Sequence, residues 1–81
     1  MLIRVVVEQP RRERYRLRFD PDTGSFVRTP HLALLYDRGF VGCYGWIEGN
    51  GAPPQPHWDV YVCTDSDVQP GQRIDAALCG V

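Results

Sequence analysis

Apolar and polar positions alternate along most of the chain, the pattern of half-buried β-strands. In the first such stretch, residues 2–8, Ile3, Val5 and Val7 share one face, and Pro10 ends the strand. The same pattern recurs further along. It predicts strands over residues 2–8, 15–19, 25–28, 40–47, 57–63 and 72–79.

Turn residues separate these stretches. The segment 20–24, with letters DPDTG, predicts a hairpin turn in which Asp20 and Asp22 bond local backbone and Gly24 takes positive φ. Thr29-Pro30 is predicted to interrupt the returning strand, and residues 31–36 fit either one helical turn or a strand. Glycines at 39, 42 and 45 predict bends or a close backbone approach in the strand over 40–47.

No segment sustains a 3.6-residue period, and turns recur every 8–12 residues or so. The sequence therefore predicts an all-β protein: an OB-like closed or partly open barrel of about five to seven short antiparallel strands. Eighty-one residues make one domain, residues 1–81. A chain this short has a small core, which favours partner subunits or a very compact barrel.

Charge is distributed unevenly. Residues 1–40 carry eight arginines against five acids, whereas residues 41–81 carry one arginine against five acids, and lysine is absent. No apolar run is long enough to span a bilayer, and the N-terminus lacks a signal-peptide layout, so we expect a cytoplasmic protein without a membrane partner. Cys43, Cys63 and Cys79 form no C-x-x-C pair, and we expect buried, reduced thiols.

Six short motifs occur in a characteristic order. They are VVVEQP at 5–10, DPDTG at 20–24, YGWI at 44–47, DVYV at 59–62, QPG at 69–71 and CGV at 79–81. In this order and register the chain resembles the soluble inorganic pyrophosphatases, which have V-x-E-x-P, D-x-x-(S/T)-G, N-Y-G-F-I, D-G-D-P-x-D-V-L-V and Q-P-G. That family has an OB-like barrel followed by helices, so the resemblance covers about the first half of a family domain and implies a form without those helices.

The resemblance implies site residues for pyrophosphate chemistry, in which magnesium ions and cationic side chains hold the phosphate oxygens. Glu8 and Asp59 fall on metal carboxylates, Arg16 on a phosphate-binding lysine, and Tyr44 on the active-site tyrosine. Arg28 is the nearest counterpart of a phosphate-binding arginine. The implied catalytic pair is Tyr44 and Asp59, and the implied phosphate contacts are Arg16, Arg28 and Tyr44. Arg18 replaces a family glutamate, and Cys43 replaces the asparagine of N-Y-G.

The central metal motif is altered. Where the family reads D-G-D-P-x-D, residues 54–59 read PQPHWD, so Pro54 and Pro56 replace two carboxylates and Asp59 survives. Two carboxylates are too few for the three or four magnesium ions of this family. We therefore expect a degenerate, non-hydrolytic relative that acts as an oligomeric structural module or binds phosphate or pyrophosphate, with no cofactor. Mg²⁺ is expected only if the ancestral activity survives.

Other interpretations remain open. A weak Mg²⁺-dependent inorganic pyrophosphatase is one. Another is an OB-type binder of single-stranded nucleic acid using the arginines of residues 11–18, although the slightly negative net charge disfavours nucleic acid. Those arginines otherwise form a solvated face paired with Glu8, Glu48 or Asp75.

Several single residues also have two interpretations. Asp59 either keeps a metal-ligand role or accepts from loop N–H groups of Asn50 or Gly51. His57 is either a ligand in a weak metal site with Glu8 or a surface histidine. The larger aromatic side chains are expected in the core or in a homo-oligomer interface. These are Phe40, Trp46, Trp58 and Tyr61.

Overall fold

Six antiparallel strands form the protein in a computed structural model that describes residues 2–33, 42–49 and 51–77. The strands are β1 (Leu2–Gln9), β2 (Tyr15–Asp20), β3 (Ser25–Leu32), β4 (Gly42–Ile47), β5 (Asp59–Cys63) and β6 (Arg73–Ala77). The described ranges contain no helix. The predicted all-β class is confirmed.

Two sheets divide the strands. One has four strands in the order β5-β4-β1-β6, and the other is the β2–β3 hairpin. No strand pairing joins them within the described ranges, so the barrel is partly open rather than closed. Because β1 lies inside the larger sheet and the hairpin packs on it, the second half of β1 is buried on both faces, from Val5 to Gln9.

Strand β3 differs from its prediction. It continues through Thr29 and Pro30 to Leu32 instead of ending at Arg28. Since β3 pairs only with β2, it is an edge strand, where a proline without an N–H is tolerated. Strand β5 begins at Asp59, two residues later than predicted. Residues 31–36 were in doubt between helix and strand, and of these His31 and Leu32 are strand. Tyr36 lies outside the described residues, as do Phe40 and Cys79 of the other predicted strands.

A β-bulge interrupts β1 near its end. Val7 pairs with Gly45 and Gln9 pairs with Tyr44, so Glu8 is the extra residue between two consecutive positions of β4. A bulge bends the strand and redirects side chains. Val7, Glu8 and Gln9 are all buried, because this half of β1 is covered on both faces.

Two glycines have the roles predicted for them. A Cβ on Gly45 would lie 2.0 Å from the Val6 carbonyl oxygen, so this residue permits the close approach of β4 to β1. Gly24 has φ of 70° in the hairpin turn. In that turn the Asp22 N–H donates to Asp20 Oδ1 at 3.0 Å, as expected of the aspartate.

Two apolar clusters hold the strands together. Val7, Cys43 and Val68 form a buried group with Val62 and Ile74 packed against it. A second cluster packs the hairpin against the sheet and consists of Trp46, Phe19 and Phe26. The centroid of the Trp46 ring lies 5.4 Å from that of Phe19 and 6.0 Å from that of Phe26. Trp46 is therefore a core residue, as predicted.

Candidate functional site

Glu8 is carried by the bulge into the space between the sheet and the hairpin. One of its carboxylate oxygens accepts the Phe19 N–H at 3.3 Å. Burial raises the pKa of Glu8, and the Phe19 N–H and the charge of Arg16 oppose that rise. The nearby carboxylate of Asp59 raises it further. Glu8 thus combines a structural bond to β2 with a buried carboxylate close to other charges.

Tyr44 lies on β4 between Glu8 and β5. It pairs with Tyr61, so Asp59 is its diagonal neighbour on the same face. The Asp59 carboxylate lies close enough to the Tyr44 hydroxyl to raise its pKa, and the Tyr44 and Tyr61 ring centroids are 5.2 Å apart. Burial, followed by Asp59, raises the pKa of Tyr44 well above its ordinary value. Tyr44 is therefore a neutral hydrogen-bond donor at any physiological pH.

Asp59 opens β5 and also bonds to His57. The distance from Asp59 Oδ1 to His57 Nε2 is 2.9 Å, and His57 Nδ1 lies 2.8 Å from the Gln55 carbonyl oxygen. Both ring nitrogens of His57 therefore lie next to oxygen atoms. The predicted bonds from the N–H groups of Asn50 or Gly51 to Asp59 are not among these contacts, and Asn50 lies outside the described residues.

The two arginines implied as phosphate contacts are placed differently. The guanidinium of Arg16, on β2, is close enough to Glu8 and Tyr44 to lower the pKa of both groups. Arg28, on β3, forms an ion pair with Glu13 at 3.0 Å. The cluster that the fold brings together is therefore Glu8, Arg16, Tyr44 and Asp59, with His57 at its edge.

The described residues contain no group of three or more His, Cys, Asp or Glu side chains able to hold a metal ion. Glu8 and Asp59 are two carboxylates from different strands. Magnesium commonly binds one or two carboxylates together with waters and substrate phosphate oxygens. The donor set therefore fits a magnesium ion that arrives with a phosphate, and does not fit one held by protein groups alone.

The arginines of residues 11–18 are partly neutralised. Arg11 and Arg12 lie 3.6 and 3.0 Å from Asp67 Oδ1, a partner that the sequence did not indicate. Glu48 and Asp75, expected as their partners, pair with Arg4 and Arg73 instead. The predicted pairing of these arginines with Glu48 or Asp75 is wrong, whereas Arg16 lies close enough to Glu8 to lower the pKa of that carboxyl group.

The remaining expectations have mixed outcomes. Cys43 is buried as expected, but Cys63 is exposed because its position on β5 faces away from the core. Trp58 and Tyr61 are 69% and 64% exposed, so neither is a core residue. Among the described residues no helix is long and apolar enough to cross a membrane.

Gln9 is a site-supporting residue that the sequence did not reveal. Its side-chain amide donates to the carbonyl oxygens of Glu13 and Tyr15 and accepts the Leu17 N–H at 2.7 Å. Gln9 thereby fixes the start of β2, which carries Arg16. The only available signal was a glutamine at the end of an apolar strand, which is too common to predict this role.

No family model matches the sequence, and a search of curated proteins finds no match.

Proposed function

We propose that this chain binds a magnesium-complexed phosphate or pyrophosphate anion at Glu8, Arg16, Tyr44 and Asp59 and does not hydrolyse it. The observation that carries the proposal is the convergence of these residues from four strands: β1, β2, β4 and β5. The pyrophosphatase resemblance indicated these four residues, together with Arg28, independently of their positions in space.

Charge decides the form of the ligand. Two carboxylates and one arginine would repel a bare phosphate, since like charges at short range oppose binding. Glu8 and Asp59 could hold a divalent cation, whose positive charge would reverse that balance and attract the phosphate oxygens. Arg16 and the neutral Tyr44 hydroxyl then supply donors to the anion, because a guanidinium and a phenol both donate to phosphate.

Hydrolysis needs more than this cluster offers. A bound magnesium ion lowers the pKa of a water and stabilises charge on the phosphoryl oxygens. Each missing electrostatic stabiliser typically costs about 10²–10³ in rate. Pro54 and Pro56 stand where the resemblance implies two carboxylates, and proline supplies no ligand. The proposed role is therefore binding.

Calorimetric titration with pyrophosphate tests the proposal. We expect saturable binding with Mg²⁺ and at least ten-fold weaker binding with EDTA. Asp59→Asn and Tyr44→Phe are expected to weaken binding about ten-fold each, the scale of one charge-assisted hydrogen bond. Glu48→Gln is the matched control, because Glu48 is an exposed carboxylate that pairs with Arg4 and Arg73.

Two results would count against the proposal. Equal affinity for pyrophosphate with and without Mg²⁺ would show that binding does not depend on a divalent cation. Release of phosphate from pyrophosphate, abolished by Asp59→Ala, would instead establish a weak magnesium-dependent pyrophosphatase.

We further propose that the chain self-associates. Trp58 is exposed, and a large exposed aromatic side chain is a frequent component of subunit interfaces. The small core of an 81-residue chain gives association a stabilising role.

A further inference from the structure

One face of the four-stranded sheet is covered at one end of the β4–β5 pair and open at the other. Because directly paired residues point to the same side, Tyr44 and Trp46 of β4 share this face with Asp59 and Tyr61 of β5. The hairpin packs on Trp46 and covers that end. Tyr61 lies on β5, the outermost strand of the sheet as described, and is 64% exposed. The candidate site therefore opens to solvent beside Tyr61.

The ring of Tyr61 is supported by a second aromatic ring. Tyr61 lies opposite Tyr44 in the β4–β5 ladder, and the two ring centroids are 5.2 Å apart with their planes tilted by 47°. Tyr44 is half-buried, so the pair presents the Tyr61 ring to solvent from a fixed base. An accessible, supported aromatic ring is a surface on which a nucleobase stacks, because every base has a π-face.

The spacing along β5 relates this ring to the proposed metal carboxylate. Asp59 and Tyr61 are two positions apart on one strand, which corresponds to about 6.7 Å along β5. Inorganic pyrophosphate has no apolar group for the Tyr61 ring to contact. A diphosphate joined through a sugar to a base does have one, and the sugar supplies the length between the carboxylate and the ring.

Charge also favours an esterified diphosphate. Arg16 is exposed and is the single arginine of the cluster, where it is opposed by the carboxylates of Glu8 and Asp59. An ester of pyrophosphate carries one negative charge fewer than the fully ionised anion. It therefore meets less repulsion from these two carboxylates.

We propose that the anion bound at this cluster is a nucleoside diphosphate, whose base stacks on the ring of Tyr61. This inference rests on the proposed function and names the class of ligand. The diphosphate and its magnesium ion lie at Glu8, Arg16 and Asp59, and the base lies on the open side of Tyr61. A purine has the larger π-face, so ADP is expected to bind more tightly than UDP.

Calorimetric titration in the presence of Mg²⁺ tests this inference with a matched pair of ligands. Methyl diphosphate has the charge and the ester linkage of ADP but carries no base. We expect ADP to bind about ten-fold more tightly than methyl diphosphate, the scale of stacking one base on an aromatic side chain. UDP is expected to lie between them.

Variants separate stacking from apolar contact. Tyr61→Leu keeps an apolar side chain but removes the flat ring, so the preference for ADP over methyl diphosphate is expected to fall below about two-fold. Tyr61→Phe keeps the ring and should keep the preference. Trp58→Leu is the matched control, because it removes another exposed aromatic ring from outside the Tyr44–Tyr61 pair. The preference is a ratio within one variant, so an indirect effect on the diphosphate contacts cancels.

A second readout needs no variant. In the parent protein with Mg²⁺ and ADP, NMR is expected to show nuclear Overhauser contacts between adenine H2 and H8 and the ring protons of Tyr61. Absence of these contacts at saturating ADP would overturn the inference.

The titrations distinguish failure of this inference from failure of the proposed function. Magnesium-dependent binding of pyrophosphate and methyl diphosphate, with ADP no tighter, would overturn the nucleotide assignment and leave the proposed function standing. An undiminished preference for ADP in folded Tyr61→Leu would also overturn it. If none of the ligands binds with Mg²⁺, the proposed function fails, and the nucleotide assignment fails with it.

Discussion

The four-stranded sheet and the β2–β3 hairpin are held in place by different kinds of interaction. Backbone ladders join the four strands of the sheet. The hairpin is attached to the sheet through side chains: Glu8 and Gln9 bond to backbone groups of β2, and Phe19 and Phe26 pack on Trp46. The attachment of the hairpin therefore depends on a few residues, whereas the sheet depends on many.

This difference couples stability to the candidate site. The bulge that lets Glu8 and Gln9 reach β2 also directs Glu8 towards Tyr44, Asp59 and Arg16. Burying a carboxylate costs more free energy than one hydrogen bond to an N–H returns. This cost is explained if Glu8 also binds a ligand.

Gly45→Ala should have the largest effect, because it acts on the sheet itself. The new methyl group would overlap the Val6 carbonyl, and backbone atoms cannot move aside without breaking the β1–β4 ladder. We expect a loss of about 4 kcal/mol or more, most of the stability of a domain this size. Urea denaturation measures it.

Gly24→Ala is the control for this substitution. A Cβ at Gly24 would meet no atom within 4 Å, and only its φ of 70° is unfavourable. Its expected cost is about 1–2 kcal/mol. Equal losses for the two variants would mean that the close approach of β4 to β1 is unimportant.

Gln9→Ala tests the attachment of the hairpin. It removes three hydrogen bonds and leaves the Leu17 N–H buried without an acceptor. We expect a loss of about 2–4 kcal/mol, with amide exchange accelerating in β2 and β3 before it does in β1 and β4. Gln72→Ala, which removes one exposed bond to the Gln69 N–H, should cost under about 1 kcal/mol. Uniform acceleration over both sheets would refute separate attachment.

Glu8→Gln separates stability from binding. The pKa of Glu8 is raised in the folded state, so the native protein binds its proton more tightly than the unfolded chain does. Its contribution to stability is therefore fully present below the unfolded pKa near 4.5 and is lost as pH rises through the folded pKa. The amide keeps an acceptor for Phe19 and carries no charge.

We accordingly expect the melting temperature of Glu8→Gln to lie roughly a few degrees above that of the parent at pH 7 and to equal it at pH 4. The magnesium-dependent affinity of the variant for pyrophosphate should fall. Thermal melts at several pH values, read with calorimetry, check both parts. A variant less stable than the parent at pH 7 would show that the charged form of Glu8 is needed for the fold.

Trp58→Ser should have the smallest effect on stability, because the side chain is exposed. The substitution is expected to change the mass of the assembly. Light scattering at high micromolar concentration should show an oligomer for the parent and a smaller species for the variant. A monomeric parent would contradict self-association.

The sequence predicted the strands well where alternation was clear. Val60 and Val62 on β5 and Ile74 on β6 are more buried than their neighbours, as their period requires. It could not predict the bulge at Glu8, because a bulge depends on which residues of β4 lie opposite. Pro30 was misread as an interruption because edge position is a property of the assembled sheet.

The candidate site was predicted only in part, because side-chain pairing, like the bulge, depends on the assembled fold. Glu8, Arg16, Tyr44 and Asp59 were indicated by the family resemblance and lie together. The pairing of Arg28 with Glu13, and of Arg11 and Arg12 with Asp67, depends on tertiary proximity that no local pattern contains.

The most direct measurement is a crystal structure grown with Mn²⁺ and a non-hydrolysable pyrophosphate analogue. Mn²⁺ replaces Mg²⁺ because its anomalous signal locates the metal. The proposed function predicts a metal peak between Glu8 and Asp59, with the analogue contacting Arg16 and Tyr44. An empty cluster, with Asp59 still paired with His57, would contradict it.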